Sequence, residues 1–275
     1  MRNCCKQMLA LALLTALAPA THATAADAPP VFSTNAQTAW VGIGIGALLP
    51  VAGSPKPVGQ DPAYPYIPNG TPGKQPTQRV SDISNPNLKQ WARDIMKKDN
   101  DEVIKGKFAF TARSSCIAAG VPGFDLLLGG ALQILQSPRE VTMVFSGNDE
   151  VRHIPLGVPH SANRKPSWYG DSVGHYEGDT LVVDTIGFND KTFLDNYRTP
   201  HTDQLHVTER WHLIESGAKL EINLTIDDPG TFNEPWQALR QYDRVRREYS
   251  EDRCSENNSN HFIDYGTPVA KKPDF

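Results

Sequence analysis

From residue 130 onward, apolar and polar positions alternate with a period of two. Leu220, Ile222, Leu224 and Ile226 interleave with Glu221, Asn223, Thr225 and Asp227. That is the pattern of a strand with one buried and one solvated face. Similar runs predict strands at 132–136, 140–146, 150–156, 171–177, 180–188, 204–214, 219–227 and 236–248. The turns between them are mostly short, so the strands form an antiparallel meander. Closing a meander into a barrel removes its exposed edges. The prediction is an all-β fold: an up-and-down, lipocalin-like barrel of about eight strands with a short helical, Pro-rich N-terminal extension. A barrel of that size has room for side chains or one small ligand. An open sandwich is the alternative.

The N-terminal half reads differently. Leu88, Trp91, Ile95 and Val103 recur at helical spacing, which predicts helix within 81–107. Asp99-Asn-Asp-Glu102 interrupts the pattern, which leaves room for two short helices in place of one. Residues 50–80 hold eight prolines and read as an extended wrap. Trp40 to Pro50 contains Gly-x-Gly-x-Gly, but a dinucleotide loop needs a helix after it. A small-residue segment packed on the body is the expectation. The chain divides into 1–25, 26–80 (extended lead), 81–125 (short helical segment), 126–257 (barrel) and 258–275 (tail).

The strongest local signal is Gly178-Asp179 between two strand-like runs, a type II′ or I′ hairpin. The turn sets the register: Glu177 faces Thr180, His175 faces Val182, Gly174 faces Val183 and Val173 faces Asp184. One face then carries Asp171, Val173, His175 and Glu177 beside Thr180, Val182, Asp184 and Ile186. The other carries Ser172, Gly174 and Tyr176 beside Leu181, Val183 and Thr185. Alternation leaves open which face points into the barrel.

Composition adds compartment and partners. The 275 residues carry a net charge of −4 with no basic stripe, so nucleic acid is not an expected partner. Arg2 and Lys6, the apolar run Met8–Ala18 and Ala23-Thr-Ala25 make a signal peptide with a mature start near Ala26. The expected location is periplasmic or secreted, with no membrane association after cleavage. Cys116 and Cys254 remain in the mature chain and are expected to pair as a disulfide in an oxidising compartment.

Several residues are able to do chemistry. His175 and Asp184 lie diagonally across the hairpin with Asp171 on the same face, an arrangement suited to general acid–base work. Glu209 interrupts the apolar row Leu205, Val207, Trp211 and Leu213. A carboxylate there needs a partner or a shifted pKa, so a salt bridge and a catalytic role are both readings. Trp168, Tyr169, Tyr176 and Trp236 are candidate ligand surfaces. Asp190, His201 and His206 are expected at a barrel mouth, and Arg210 to orient a substrate. Gly170-Asp-Ser-Val-Gly174 matches G-x-S-x-G, yet a nucleophile elbow needs a helix next. The histidines lack a metal-ligand spacing, so neither a metal nor another cofactor is expected.

Five motifs carry a resemblance: Trp168-x-Gly-x-Ser-x-Gly174, Glu177-Gly-Asp-Thr-Leu-Val-Val183, Gly187-Phe-Asn-Asp190, Leu205-x-Val-x-Glu-Arg210 and Asp227-Asp-Pro229. With Cys254-x-Glu-Asn257 they resemble a large group of exported bacterial proteins to which no settled activity belongs. The resemblance spans about 130–257. That group often has Arg at position 175 and Trp at 176, where this chain has His175 and Tyr176, so it lends no catalytic role to His175. The functional expectation is an exported acid–base enzyme (lyase, hydratase or isomerase) acting on a small molecule in the barrel. The alternatives are a non-catalytic binding barrel and, more weakly, a hydrolase using Ser172 or a metal. A charge-lined interior favours catalysis, and an apolar one favours carriage.

Overall fold

A computed structural model describes residues 29–44, 48–107, 109, 112, 117–126, 130–147 and 149–249. The signal-like N-terminus, Cys116 and Cys254 with their expected disulfide, and the 258–275 tail lie outside the described residues.

The eight predicted strands are present as β3 (Leu132–Gln136), β4 (Glu140–Phe145), β5 (Glu150–Pro155), β6 (Asp171–Glu177), β7 (Thr180–Ile186), β8 (His206–Ile214), β9 (Lys219–Asp227) and β10 (Trp236–Arg246). A ninth, β1 (Thr38–Gly42), comes from the expected lead and lies between β3 and β10. It pairs along its length with β10, from Thr38↔Arg246 to Gly42↔Tyr242, and meets β3 at Trp40↔Leu132. A short β2 (Leu49–Pro50) also pairs with β10. Residues 38–42 and 49–50 therefore supply barrel wall. The alternation of Trp40 with small residues suits a strand, but its glycines mask the period.

Nine strands in chain order form an antiparallel, nearly closed barrel. An odd number of alternating strands brings its first and last members together parallel. Counting from β6 through β10 and β1 to β5, the parallel contact falls between β5 and β6. There Leu156 bridges Gly174 in parallel fashion, and the Gly157 N–H donates to the Gly174 carbonyl at 2.8 Å. Parallel neighbours need a long return connection. Residues 156–170 supply it, outside the barrel wall.

The hairpin has the expected register, Val173↔Asp184 through Glu177↔Thr180. Gly178 takes φ +58° and Asp179 a negative φ, the type II′ pattern that leaves glycine first. Its apolar face points inward. Leu181, Val183, Val207, Trp211, Ile222, Leu224 and Ile226 are 0–1 % exposed and fill the barrel.

Of the two arrangements open to 81–107, a single helix forms, α1 (Gln90–Ile104). Its Ala92, Met96 and Val103 are buried. The polar interruption does not break the helix, because it finds partners. Asn100 Oδ1 accepts from the Ser81 N–H and hydroxyl at 2.9 Å each, and Asn100 Nδ2 donates to the Ser81 carbonyl at 2.8 Å. Asp99 forms a buried ion pair with Arg198, which ties α1 to the loop after β7.

Candidate functional site

The titratable face of the hairpin lies on the outside of the barrel. Asp184 projects outward between two imidazoles: Oδ1 meets His160 Nε2 at 2.6 Å and Oδ2 meets His206 Nε2 at 2.5 Å. His160 Nδ1 lies 3.2 Å from Asp171 Oδ2, which also accepts the Ser161 N–H at 2.8 Å. The return connection is thus pinned to β6 and β7 through His160. Burial works to raise the Asp184 pKa, but the hydrogen bonds from His206 and His160 outweigh it and hold the carboxyl below the usual aspartate value. His175 does not join this chain. It is exposed and sits 3.0 Å from Glu177, which also accepts from Arg210 at 2.7 Å. The expected His175/Asp184 pair is therefore replaced by His160/Asp184/His206. A diagonal relation on a sheet brings Cβ atoms near, but shorter contacts to a neighbouring strand and an overlying loop prevail.

The barrel interior holds a buried ion pair, with Asp125 and Arg240 also buried nearby. Glu209 is fully buried and makes a two-pronged ion pair with Arg152, whose Nη1 reaches Oε1 at 2.9 Å. Arg152 Nη2 also donates to Thr185 Oγ1 at 3.0 Å and Ser172 Oγ at 3.2 Å. Burial lowers the Arg152 pKa, yet the Glu209 charge more than restores it. Asp125 packs against the same pair. Burial and then the Glu209 charge push its carboxyl far above the usual range, against the pull of Arg152. Asp125 therefore favours its protonated form beside the Arg152–Glu209 pair. Glu209 is a salt-bridge partner rather than a candidate catalyst reaching an open cavity. Ser172 sits mid-strand, 7 % exposed and 3.0 Å from Thr185 Oγ1, so the G-x-S-x-G match forms no elbow.

The candidate aromatics divide. Trp236 is core, 1 % exposed and edge-on to Phe232 at 5.5 Å. Tyr169 donates its hydroxyl to Glu150 and packs edge-on to Phe124 at 6.1 Å. Burial and the neighbouring Glu150 raise its pKa. The Tyr176 hydroxyl accepts from Gln136 Nε2 at 2.9 Å. Trp168 is half-buried. None of these four lines the cleft described next.

An open cleft of about 570 Å³ lies where α1 meets the loops around the barrel end. Trp91 of α1 and Pro166 of the return connection supply its apolar surface over the buried Phe188, and Asn189, Asp190, His201, Thr202 and Asp203 complete it. Trp91 is fixed by its Nε1–H, which donates to the Gly230 carbonyl at 2.7 Å. Residues 166–167 are held to this end by the Ser167 N–H on the Gly187 carbonyl at 3.1 Å and the Asn189 N–H on the Ser167 carbonyl at 2.9 Å. His201 is 2 % exposed and edge-on to Phe188 at 6.0 Å. Its Nδ1 lies 3.0 Å from the Thr202 carbonyl and its Nε2 2.7 Å from Thr192 Oγ1. A carbonyl only accepts, so Nδ1 carries the proton. Burial holds the His201 pKa below the usual value. Nε2 is then an acceptor for the Thr192 hydroxyl.

Of the residues expected at a barrel mouth, Asp190 and His201 line this cleft, while His206 belongs to the outer face. Sequence reasoning missed Arg152, His160, Trp91 and Asp203. A signal existed for Arg152: in Glu150-Val-Arg-His-Ile154 the pairing Met143↔Arg152 places it on the inward face. His160 gave none, because a loop has no period. Among the described residues, no group of three or more His, Cys, Asp or Glu side chains is arranged to hold a metal ion. Compared with models of known protein families the chain matches none, and no curated protein matches it in sequence.

Proposed function

We propose that this chain is an exported small-molecule binding barrel whose ligand occupies the cleft lined by Trp91, Phe188, Asp190 and Asp203. Ligand sites are characteristically concave, largely apolar and furnished with a few convergent polar groups, and this cleft has that make-up. The observation that carries the binding reading over the acid–base one concerns His201. It is the imidazole of the cleft, and both of its nitrogens are occupied by Thr192 and Thr202. A general acid or base needs a nitrogen within reach of the substrate. The barrel interior supports the same reading, because its carboxylate Glu209 is held by Arg152 and apolar side chains fill the space around the pair. Export rests on the basic, apolar and Ala-x-Ala pattern of residues 1–25, and on the resemblance of residues 130–257 to exported proteins.

The test is native mass spectrometry of the mature protein after incubation with small molecules extracted from its own cells. A Trp91→Ala variant and an Asp203→Asn variant serve as controls. The expected result is a compound held by the wild type with its mass unchanged and lost from both variants. A compound consumed by the wild type, with a defined mass change, would overturn the proposal in favour of an enzyme.

A further inference from the structure

The hydrogen-bonding groups of the cleft are unequally used. Its side-chain donors, with one exception, are engaged within the protein. The Trp91 Nε1–H serves Gly230, and the His201 Nδ1–H serves Thr202. The Thr202 N–H and hydroxyl both donate to Asp228, at 2.7 and 2.6 Å. The Asn189 N–H serves Ser167, and Pro166 has none to offer. Asn189 Nδ2 is the one side-chain donor of the lining without a partner among the described residues, while Asn189 Oδ1 accepts the Lys191 N–H at 3.1 Å.

The acceptors are in the opposite state. The carboxylates of Asp190 and Asp203 are exposed at the cleft and meet no hydrogen-bond donor or ion-pair partner among the described residues. Among the described residues no Lys or Arg lines the cleft. Nearby Arg164 lies against Gly187 and donates to the Ser161 carbonyl at 3.3 Å. His201 is neutral and adds no positive charge. The cleft therefore presents two anionic acceptor groups, the Trp91 π surface and a single free side-chain donor among the described residues.

A ligand that brought acceptors, such as a carboxylate or a phosphate ester, would meet like charge and find few donors. A ligand that brings donors and positive charge satisfies the cleft on every count. Resting on the binding reading above, we infer that the ligand is a small organic cation, an amine or guanidine carried on a flat apolar body. Its charge would sit by Asp190 and Asp203, and its body against Trp91. Two exposed carboxylate contacts together with a cation over an aromatic ring account for a preference of roughly 10- to 100-fold over an uncharged analogue.

The probe pair is 2-phenylethylammonium and 2-phenylethanol, which share a ring and differ in charge, titrated calorimetrically into the mature protein. The expected result is binding of the ammonium with at least about tenfold weaker binding of the alcohol. Asp190→Asn/Asp203→Asn should remove most of that difference, and raising the salt from 0.05 to 0.5 M should weaken the ammonium alone. Folding of the double variant is checked by an unchanged melting temperature, which surface carboxylates without partners should permit. Equal affinity for the two probes, no binding of the ammonium, or an ammonium affinity indifferent to the double variant would each overturn the inference. The binding reading itself fails separately, if the extract compound is consumed or is retained by Trp91→Ala.

Discussion

Replacing Arg152 with methionine leaves the Glu209 carboxylate inside the barrel without its cation. The two side chains are 1 % and 0 % exposed, so water does not take the place of the guanidinium. An isolated carboxylate at such a site takes up a proton instead. Folding then costs the free energy of protonating a glutamate at the working pH. At pH 7, about 2.7 units above the unfolded glutamate value of about 4.3, the cost at about 1.36 kcal/mol per unit is about 3.7 kcal/mol. That lies within the roughly 3–5 kcal/mol measured when one member of a buried pair is removed. It is a large part of the roughly 5–15 kcal/mol that holds a domain folded. The sign follows from linkage. A carboxyl that folds only in its protonated form keeps a proton that the unfolded chain releases above about pH 4.3, so the deficit grows as pH rises from there and shrinks as pH falls back toward it. Urea denaturation followed by tryptophan fluorescence should show the deficit dropping to about 1 kcal/mol at pH 5. Arg152→Met/Glu209→Leu, which removes both charges, should recover most of the loss. A deficit under about 1 kcal/mol at pH 7, or one that is the same at pH 5 and 7, would refute the assignment of Glu209 as a buried ion-pair partner.

Two further predictions test the wall and the outer face. A Cβ on Gly174 would lie 2.9 Å from Ile154 Cγ2, 3.1 Å from Leu156 Cδ2 and 3.3 Å from the Val182 carbonyl, so Gly174→Ala forces β5 and β6 apart. Equilibrium denaturation should show a loss of about 1–3 kcal/mol, with faster hydrogen exchange at the Gly157 amide; unchanged exchange there would mean the parallel contact is not held by this approach. The Asp184 carboxyl is held below its unfolded pKa by His206 and His160. Its contribution is therefore present above the ordinary aspartate range and lost as pH falls through its folded value. The stability gap between wild type and Asp184→Asn should close on acidification below about pH 4, and a gap that widens there would contradict the arrangement.

Much of the wall was legible in the chain. Alternation of period two located eight strands, and Gly178-Asp179 set the hairpin register, because both depend on neighbours a few residues apart. The odd Glu209 in an apolar row was also visible as a residue in need of a partner. Three things were decided only in three dimensions. The inward face of the hairpin was settled by what the rest of the barrel offered to cover Leu181 and Val183. Glu209 found Arg152 fifty-seven positions away, and Asp184 found His160 on a loop rather than His175 on its own hairpin. The cleft joins Trp91 of α1 to Asp190 and Asp203, residues brought together by the buried Asp99–Arg198 ion pair and by the return connection that an odd-numbered barrel requires. Local pattern encodes which residues form a strand and which face of it is apolar. Partners drawn from distant segments depend on how the sheet closes, and that is a property of the whole chain.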